Sequence, residues 1–178
     1  MPEGVRTQTK GAADAGPPPG PEEFRAVLSR LASGVVAVTG LDSEGRPAGL
    51  TVSSFVSVSL DPPLVSFCVA RTSRTWPLLR AGGRVCVNIL SEGQAADAAR
   101  FAVRDADRFG GVRWRPSPAG LPVLDGGLAW LECTVREEHG AGDHDIVICH
   151  VDRLRGTGEA GPLVRFRGGY GRLEPSFD

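Results

Sequence analysis

The sequence predicts a mainly β protein, an antiparallel β-barrel with peripheral helices, and three observations carry that prediction. Short runs rich in Val, Ile, Leu and Thr recur between Val35 and Phe166, separated by Gly, Pro and Asp turn residues. Helical periodicity is confined to two or three short stretches. The chain has 178 residues with 41% hydrophobic content, which suits one domain with its own core.

Residues 1–20 are rich in Gly, Pro, Ala and Thr and poor in large apolar side chains, so they are read as a disordered tail ahead of a domain spanning 21–178. A helix is predicted from Pro21, a first-turn proline followed by Glu22 and Glu23, where carboxylates favour the helix dipole. Phe24, Val27, Leu28 and Leu31 recur at i, i+3, i+4 and i+7 before Ser33-Gly34 ends the run, which predicts an amphipathic helix packed on the sheet.

Val35 to Leu41 reads as the first strand, closed by a turn over Asp42 to Pro47 that contains Gly45. The stretch Gly49 to Pro63, GLTVSSFVSVSLDPP, is the most informative in the chain. Strand alternation puts Val56, Val58 and Leu60 on a core face and Phe55, Ser57 and Ser59 on the other, and Asp61-Pro62-Pro63 ends the strand. Thr51, Ser53 and Ser54 offer hydroxyls beside main-chain N–H groups, as a ligand-binding edge or as an ordinary half-exposed strand. A strand from Leu64 to Ala70 follows, then the bend Arg71 to Thr75, then a helical turn at Trp76 to Leu79. Two guanidiniums and three hydroxyls in that bend suit a phosphate through charge-assisted bonds, and equally suit a solvated turn.

Arg84 to Leu90 is a further strand, in which Asn88 is a lone amide that needs a partner if buried. Gln94 to Phe101 reads as a short helix, and Asp105 to Asp125, with Pro116, Pro118 and Pro122, as a loop. Leu128 to Glu138 and Asp143 to Arg153 form two strands joined by His139-Gly-Ala-Gly142, and Leu163 to Phe166 a last one. Gly142-Asp143-His144 places a titratable ring just after a glycine turn, where it either meets a ligand or closes a hairpin. Tyr170, between glycines and near Arg167 and Arg172, either stacks on a ring or plugs the core.

Several function classes are excluded. A net charge of −1 from 20 basic and 21 acidic residues, with no basic stripe, argues against nucleic acid. No apolar run approaches the ~20 residues that cross a bilayer, so no membrane role is expected and the protein reads as soluble and cytoplasmic. Cys68, Cys86, Cys133 and Cys149 lie in apolar runs without CxxC spacing, as small core residues in a reducing compartment. Dinucleotide-fold, phosphate-loop and hydrolase-elbow motifs are lacking. No metal is expected: His144 and His150 share a strand face but stand about 20 Å apart at ~3.3 Å per residue, and His139 near His144 has no evident third ligand.

Read together, ASGVVAVTG (Ala32 to Gly40), GLTVSSFVSVSLDPPLVSF (Gly49 to Phe67), RTSRTWP (Arg71 to Pro77), VCVNIL (Val85 to Leu90), Gly142-Asp143-His144 and RGGYGRL (Arg167 to Leu173) resemble the flavin reductase family. More closely they resemble the small reductase components of two-component flavin monooxygenases, which use an FMN-binding type of split barrel. The resemblance runs from about Pro21 to Leu173 with the motifs in family order. It implies hydride transfer from NADH or NADPH to FMN or FAD, a partner monooxygenase that receives reduced flavin, and a homodimer with flavin at the subunit boundary. By the same resemblance Thr51, Val52, Ser53, Ser54 and Phe55 hold the isoalloxazine edge and ribityl chain. Arg71, Ser73, Arg74 and Thr75 then lie at the flavin phosphate with Asn88 nearby, and Ser33, Gly34, Val35 and Val36 border the pocket. Gly142, Asp143, His144, Arg167 and Tyr170 fall on the nicotinamide side, with His144 as the positioning and polarising group. Gly171 departs from the pattern, since relatives often carry a bulkier residue there. Two other readings share the barrel: a protein that holds flavin without turning over nicotinamide, and a flavoenzyme that oxidises a small substrate directly.

Overall fold

The computed structural model describes residues 17–104 and 107–173. Most of the expected N-terminal tail lies outside the described residues, and Pro17 to Gly20 are exposed. In chain order come α1 (Pro21–Leu28), β1 (Ser33–Gly34), β2 (Val36–Leu41), β3 (Pro47–Val52), β4 (Val56–Leu60), β5 (Pro63–Ala70) and α2 (Trp76–Ala81). β6 (Arg84–Ile89), a 3-10 turn (Glu92–Gln94), α3 (Ala95–Ala102), β7 (Trp114–Pro116) and β8 (Pro122–Leu124) follow. The last four strands are β9 (Ala129–Ala141), β10 (His144–Gly156), β11 (Leu163–Phe166) and β12 (Gly169–Arg172).

The sequence-predicted architecture is found. Seven strands run in the order β3-β2-β6-β9-β10-β5-β4, antiparallel at every pairing, and the sheet curls until β3 comes up against β5. Among the described residues no ladder joins β3 to β5, so the barrel is split along that line. Beyond Ser66, β5 pairs only with β10, because its pairing with β4 stops at Val56. The split therefore exposes the outer edge of β3 and the C-terminal half of β5, with main-chain polar groups that a ladder would otherwise take up.

Alternation along the strands gives the core two layers. Val36 and Val38 of β2, with Val85 and Val87 of β6, fill the barrel, where Phe67 meets Trp76 edge-on at 5.5 Å between ring centroids. The opposite face of β2 carries Ala37, which is buried with Ala98 and Phe101 of α3. The opposite face of β6 carries Cys86 beneath Leu121 and Val123. These strands read as continuous apolar runs because both their faces are covered.

Several expectations are corrected. The loop predicted over Asp105 to Asp125 contains the β7–β8 hairpin, which covers β6. Glu132, fully buried on β9, pins it: the Ser117 hydroxyl donates to Oε1, the Ala119 N–H donates to the same oxygen at 2.7 Å, and Arg153 donates to Oε2 at 3.4 Å. Sequence pattern missed the hairpin because its strands are three residues long and bounded by prolines. The predicted first helix forms, yet it buries none of its residues: Phe24, Val27 and Leu28 are exposed, as is Leu31 just beyond. Val56, Val58 and Leu60, expected in the barrel core, are also exposed, Leu60 by 91%, whereas Phe55 packs against the barrel core. β4 is the terminal strand of the sheet, and periodicity reports that a face is apolar without saying which molecule covers it.

Candidate functional site

A cavity of about 720 Å³ sits at the split in the barrel. One wall is β3 and the residues after it, Pro47 to Ser54, and another is the end of β5, Cys68 to Ala70. Thr72 to Thr75, the end of α3 and the segment carrying Arg104, Asp107, Arg108 and Phe109 close it, and His144 completes the lining. The volume falls within the ~300–1,000 Å³ of cofactor and small-molecule sites.

The β3, β5 and bend walls are fixed by side chains that the sequence singled out. Thr51 donates its hydroxyl to the Ala98 carbonyl at 2.7 Å, which ties β3 to α3. The Ser54 hydroxyl accepts the Cys68 N–H at 2.8 Å, which seals the edge of β5 where its pairing with β4 has ended. Ser53 is exposed between them on the cavity wall. Gly49 sits so close to Phe101 that a Cβ would stand 2.8 Å from Cε1 of the ring, so only glycine lets β3 and α3 meet here. At the bend, the Ser73 hydroxyl accepts the Trp76 N–H at 3.1 Å and shapes the entry into α2.

Arg108 cross-braces three walls. Its Nη1 donates to the Gly49 carbonyl at 2.7 Å and to the Thr75 hydroxyl, and its Nε donates to the Val103 carbonyl at 3.0 Å. Arg104 donates to the Thr72 hydroxyl at 3.3 Å. With Arg74 these make three guanidiniums against the one carboxylate of Asp107 among the described lining residues, an electropositive wall suited to a phosphate. Phe109, edge-on to both Phe101 and Trp114, holds the segment in place. The sequence reading missed Arg104 and Arg108, because two arginines in an irregular connection form no local pattern; only the packing of Phe101 on Gly49 brings them to β3.

His144 opens β10, paired with Ala70 on one side and Ala141 on the other. The preceding Gly142 takes φ +66°, which favours glycine. The His144 Nδ1 lies 2.7 Å from Asp143 Oδ1, and that contact holds the Asp143 carboxyl below the usual carboxylate range. A carboxylate at Nδ1 favours the tautomer with its proton there, which leaves Nε2 for a ligand. Among the described residues no cluster of His, Cys, Asp and Glu has the makings of a metal site.

Of the expected site residues, Thr51, Val52, Ser53, Ser54, Ser73, Arg74, Thr75 and His144 line this cavity together. Arg71 does not: its guanidinium donates from Nε to Asp145 Oδ1 at 3.0 Å, away from the lining. Asn88, expected near the phosphate, is buried beneath the β7–β8 hairpin. Its amide nitrogen donates to the Thr39 hydroxyl at 3.0 Å and its oxygen accepts the Leu124 N–H at 2.8 Å, so the protein itself supplies its partners. Gly34, Val35, Val36 and Phe55 line a separate apolar recess of about 110 Å³, and Ser33 pairs with Arg165 in the small sheet β1-β11-β12. Gly142 and Asp143 form the turn behind His144. Tyr170 packs on the Val35 and Phe101 cluster with the Arg165 guanidinium 4.9 Å from its ring, while Arg167, at φ +48°, donates its N–H to Ser29. Within one chain neither reaches the cavity.

An antiparallel split barrel with a cationic cavity at its split, and a histidine on a glycine turn at its rim, is a scaffold suited to a phosphate-bearing small molecule. The sequence profile described as Flavin reductase like domain matches residues 28–174, and the chain belongs to that family of flavin reductases. A flavin reductase of Pseudomonas putida is 45% identical over 151 residues, covering 85% of this chain and 89% of the relative. The reductase subunit of a flavin-dependent monooxygenase of Rhodococcus jostii is 42% identical over 155 residues, covering 87% and 79%. Among solved structures, the Streptomyces globisporus NADH:FAD oxidoreductase in complex with NAD and FAD fragments is similar at a TM-score of 0.84, with 32% identity, over 93% of this chain and 100% of that one. No helix among the described residues is long and apolar enough to cross a membrane.

Proposed function

We propose that the chain uses NADH or NADPH to reduce FMN or FAD in the cavity at the barrel split and supplies the reduced flavin to a separate monooxygenase. The observation that carries this is the joining, in one cavity, of the β3 edge, the Arg74, Arg104 and Arg108 wall and His144. The likeness to a monooxygenase reductase subunit supports the partner. The cofactors supply the redox chemistry, one hydride from C4 of the nicotinamide to N5 of the flavin with one proton taken up from solvent.

The protein contributes geometry. Main-chain groups along Gly49 to Ser54 take the flat polar edge of the flavin, and the three arginines and the Thr72 to Thr75 bend take its phosphate. His144, held at Nδ1 by Asp143, would offer Nε2 to hold the nicotinamide. Holding the two rings face to face makes hydride transfer effectively unimolecular, and positioning of this kind accounts for several kcal/mol of an enzymatic barrier. The exposed apolar faces of α1 and β4 support a homodimer, in which a second copy would bring further residues, Arg167 and Tyr170 among them, to the nicotinamide side.

The test mixes purified protein with FMN or FAD and with NADH or NADPH, anaerobically, with flavin in molar excess over protein and reduced nicotinamide in excess over flavin. Loss of reduced-nicotinamide absorbance together with bleaching of all the flavin is expected. Flavin binding without nicotinamide oxidation would sink the proposal.

A further inference from the structure

We infer that Arg71 is a positioning residue that locks the turn carrying His144 to the flavin-facing wall, and that it is not a phosphate ligand. The inference rests on the proposed role of His144 at the nicotinamide. Three attachments carry it. The Arg71 main-chain N–H donates to the Asp143 carbonyl at 3.0 Å. Its Nε donates to Asp145 Oδ1 at 3.0 Å. Its guanidinium lies over Gly140, where a Cβ would collide with Nη2. Gly140 and Asp145 are partners across the β9–β10 hairpin, so one side chain grips both strands while its backbone holds the turn between them.

The same residue opens the bend whose next four members, Thr72 to Thr75, line the cavity. Arg71 is thus the joint between the wall proposed for the flavin phosphate and the hairpin that presents His144. An ion pair at this exposure contributes little as an attraction: the side chains are 53% and 27% exposed, and solvent screens them. Its effect is geometric. Hydride transfer needs reacting atoms about 3–3.5 Å apart, and a 1 Å displacement of a positioning group can cost about a hundredfold in rate. The backbone bond alone leaves the hairpin free to pivot; the guanidinium on Asp145, stacked over a glycine, removes that freedom.

Arg71→Met and Asp145→Asn, made separately in the full chain, test this. Flavin titrations with FMN and with riboflavin, which lacks the phosphate, are run beside steady-state kinetics in reduced nicotinamide. Both variants are expected to lose about three- to fivefold in kcat/KM for the nicotinamide while the ratio of FMN to riboflavin affinity stays at the wild-type value. Arg71→Lys is expected to recover part of the loss, since a lysine ammonium keeps the charge without the fork. A fall in FMN affinity with riboflavin unchanged, in Arg71→Met alone, would identify Arg71 as a phosphate ligand and overturn the inference; so would wild-type kinetics in both variants. Asp145→Asn preserves shape and carries the test if Arg71→Met fails to fold. Hydrogen exchange of the 140–145 amides reads the lock without catalysis, so an inactive wild type would defeat the proposed function while leaving this measurement decisive. Faster exchange in both variants is expected, and unchanged exchange would defeat the lock.

Discussion

Arg108 and Gly49 are joined across the cavity by a 2.7 Å hydrogen bond from guanidinium Nη1 to main-chain carbonyl. The bond takes up a carbonyl on the free edge of β3 and sets the distance between the β-barrel and the segment after α3. Arg108→Ala is expected to weaken flavin binding by about tenfold or more, the worth of losing charge-assisted bonds at a part-buried site. Arg108→Lys is expected to recover little, because an ammonium does not span acceptors on three walls as the planar fork does. Fluorescence titration with FMN measures both.

His144→Ala is expected to lower kcat/KM for the nicotinamide about five- to tenfold, the net worth of one hydrogen bond, and to leave flavin affinity nearly intact. Asp143→Asn is expected to act in the same direction and more weakly, since it alters only the orientation of the ring. Equal losses of flavin and nicotinamide binding in His144→Ala would refute the division of the site into two sides.

Glu132 ties stability to pH. Its burial pushes the carboxyl pKa up, but bonds from Ser117, Ala119 and Arg153 outweigh that and hold it below its ordinary 4.5. A carboxyl with a depressed folded pKa contributes stability that is fully present above 4.5 and is lost as pH falls through the folded value. Thermal melting of the wild type should therefore drop as the pH is lowered below 4.5, and Glu132→Gln should reduce that drop. Glu132→Ala, which leaves the Ser117 hydroxyl and the Ala119 N–H of the β7–β8 hairpin without their acceptor, is expected to cost about 3 kcal/mol at neutral pH.

Leu60 is 91% exposed at the end of β4, where it makes little contact within its own chain. If a second copy covers β4 and α1, Leu60→Asp should leave the circular dichroism spectrum unchanged and shift sedimentation from dimer to monomer. Each large apolar side chain buried in such an interface contributes about 1.5–3 kcal/mol. A wild type that sediments as a monomer at micromolar concentration would remove the basis for pairing.

The strands of the barrel were legible because their alternation and turn residues are local properties. Gly45 at φ +76° and Gly142 at φ +66° occupy turns that the sequence marked, and β2 and β6 stood out as apolar runs, although only packing shows that Val36, Val38, Val85 and Val87 are the side chains that face inward. Part of the cavity lining was marked as well, since Thr51 to Ser54 and Ser73 to Thr75 are contiguous stretches whose hydroxyls and guanidiniums stand out from apolar strands. Arg104 and Arg108 were not, and neither was the β7–β8 hairpin, because each depends on contacts made far along the chain.

The sequence by itself determined a mainly β barrel, its order of elements and the resemblance to flavin reductases, since backbone propensity, hydrophobic period and motif order are all written along the chain. Tertiary structure decided which polar groups face the cavity and which serve the fold. Asn88 and Arg71 carry equally suggestive side chains, yet the Asn88 oxygen accepts the Leu124 N–H of β8 and the Arg71 guanidinium donates to Asp145 of β10. It also decided that the apolar faces of α1 and β4 remain uncovered by their own chain. The physical reason is common to all of these: the partner of a polar group, or of an apolar face, is fixed by proximity in space, and residues such as Arg71 and Asp145 lie far apart in sequence.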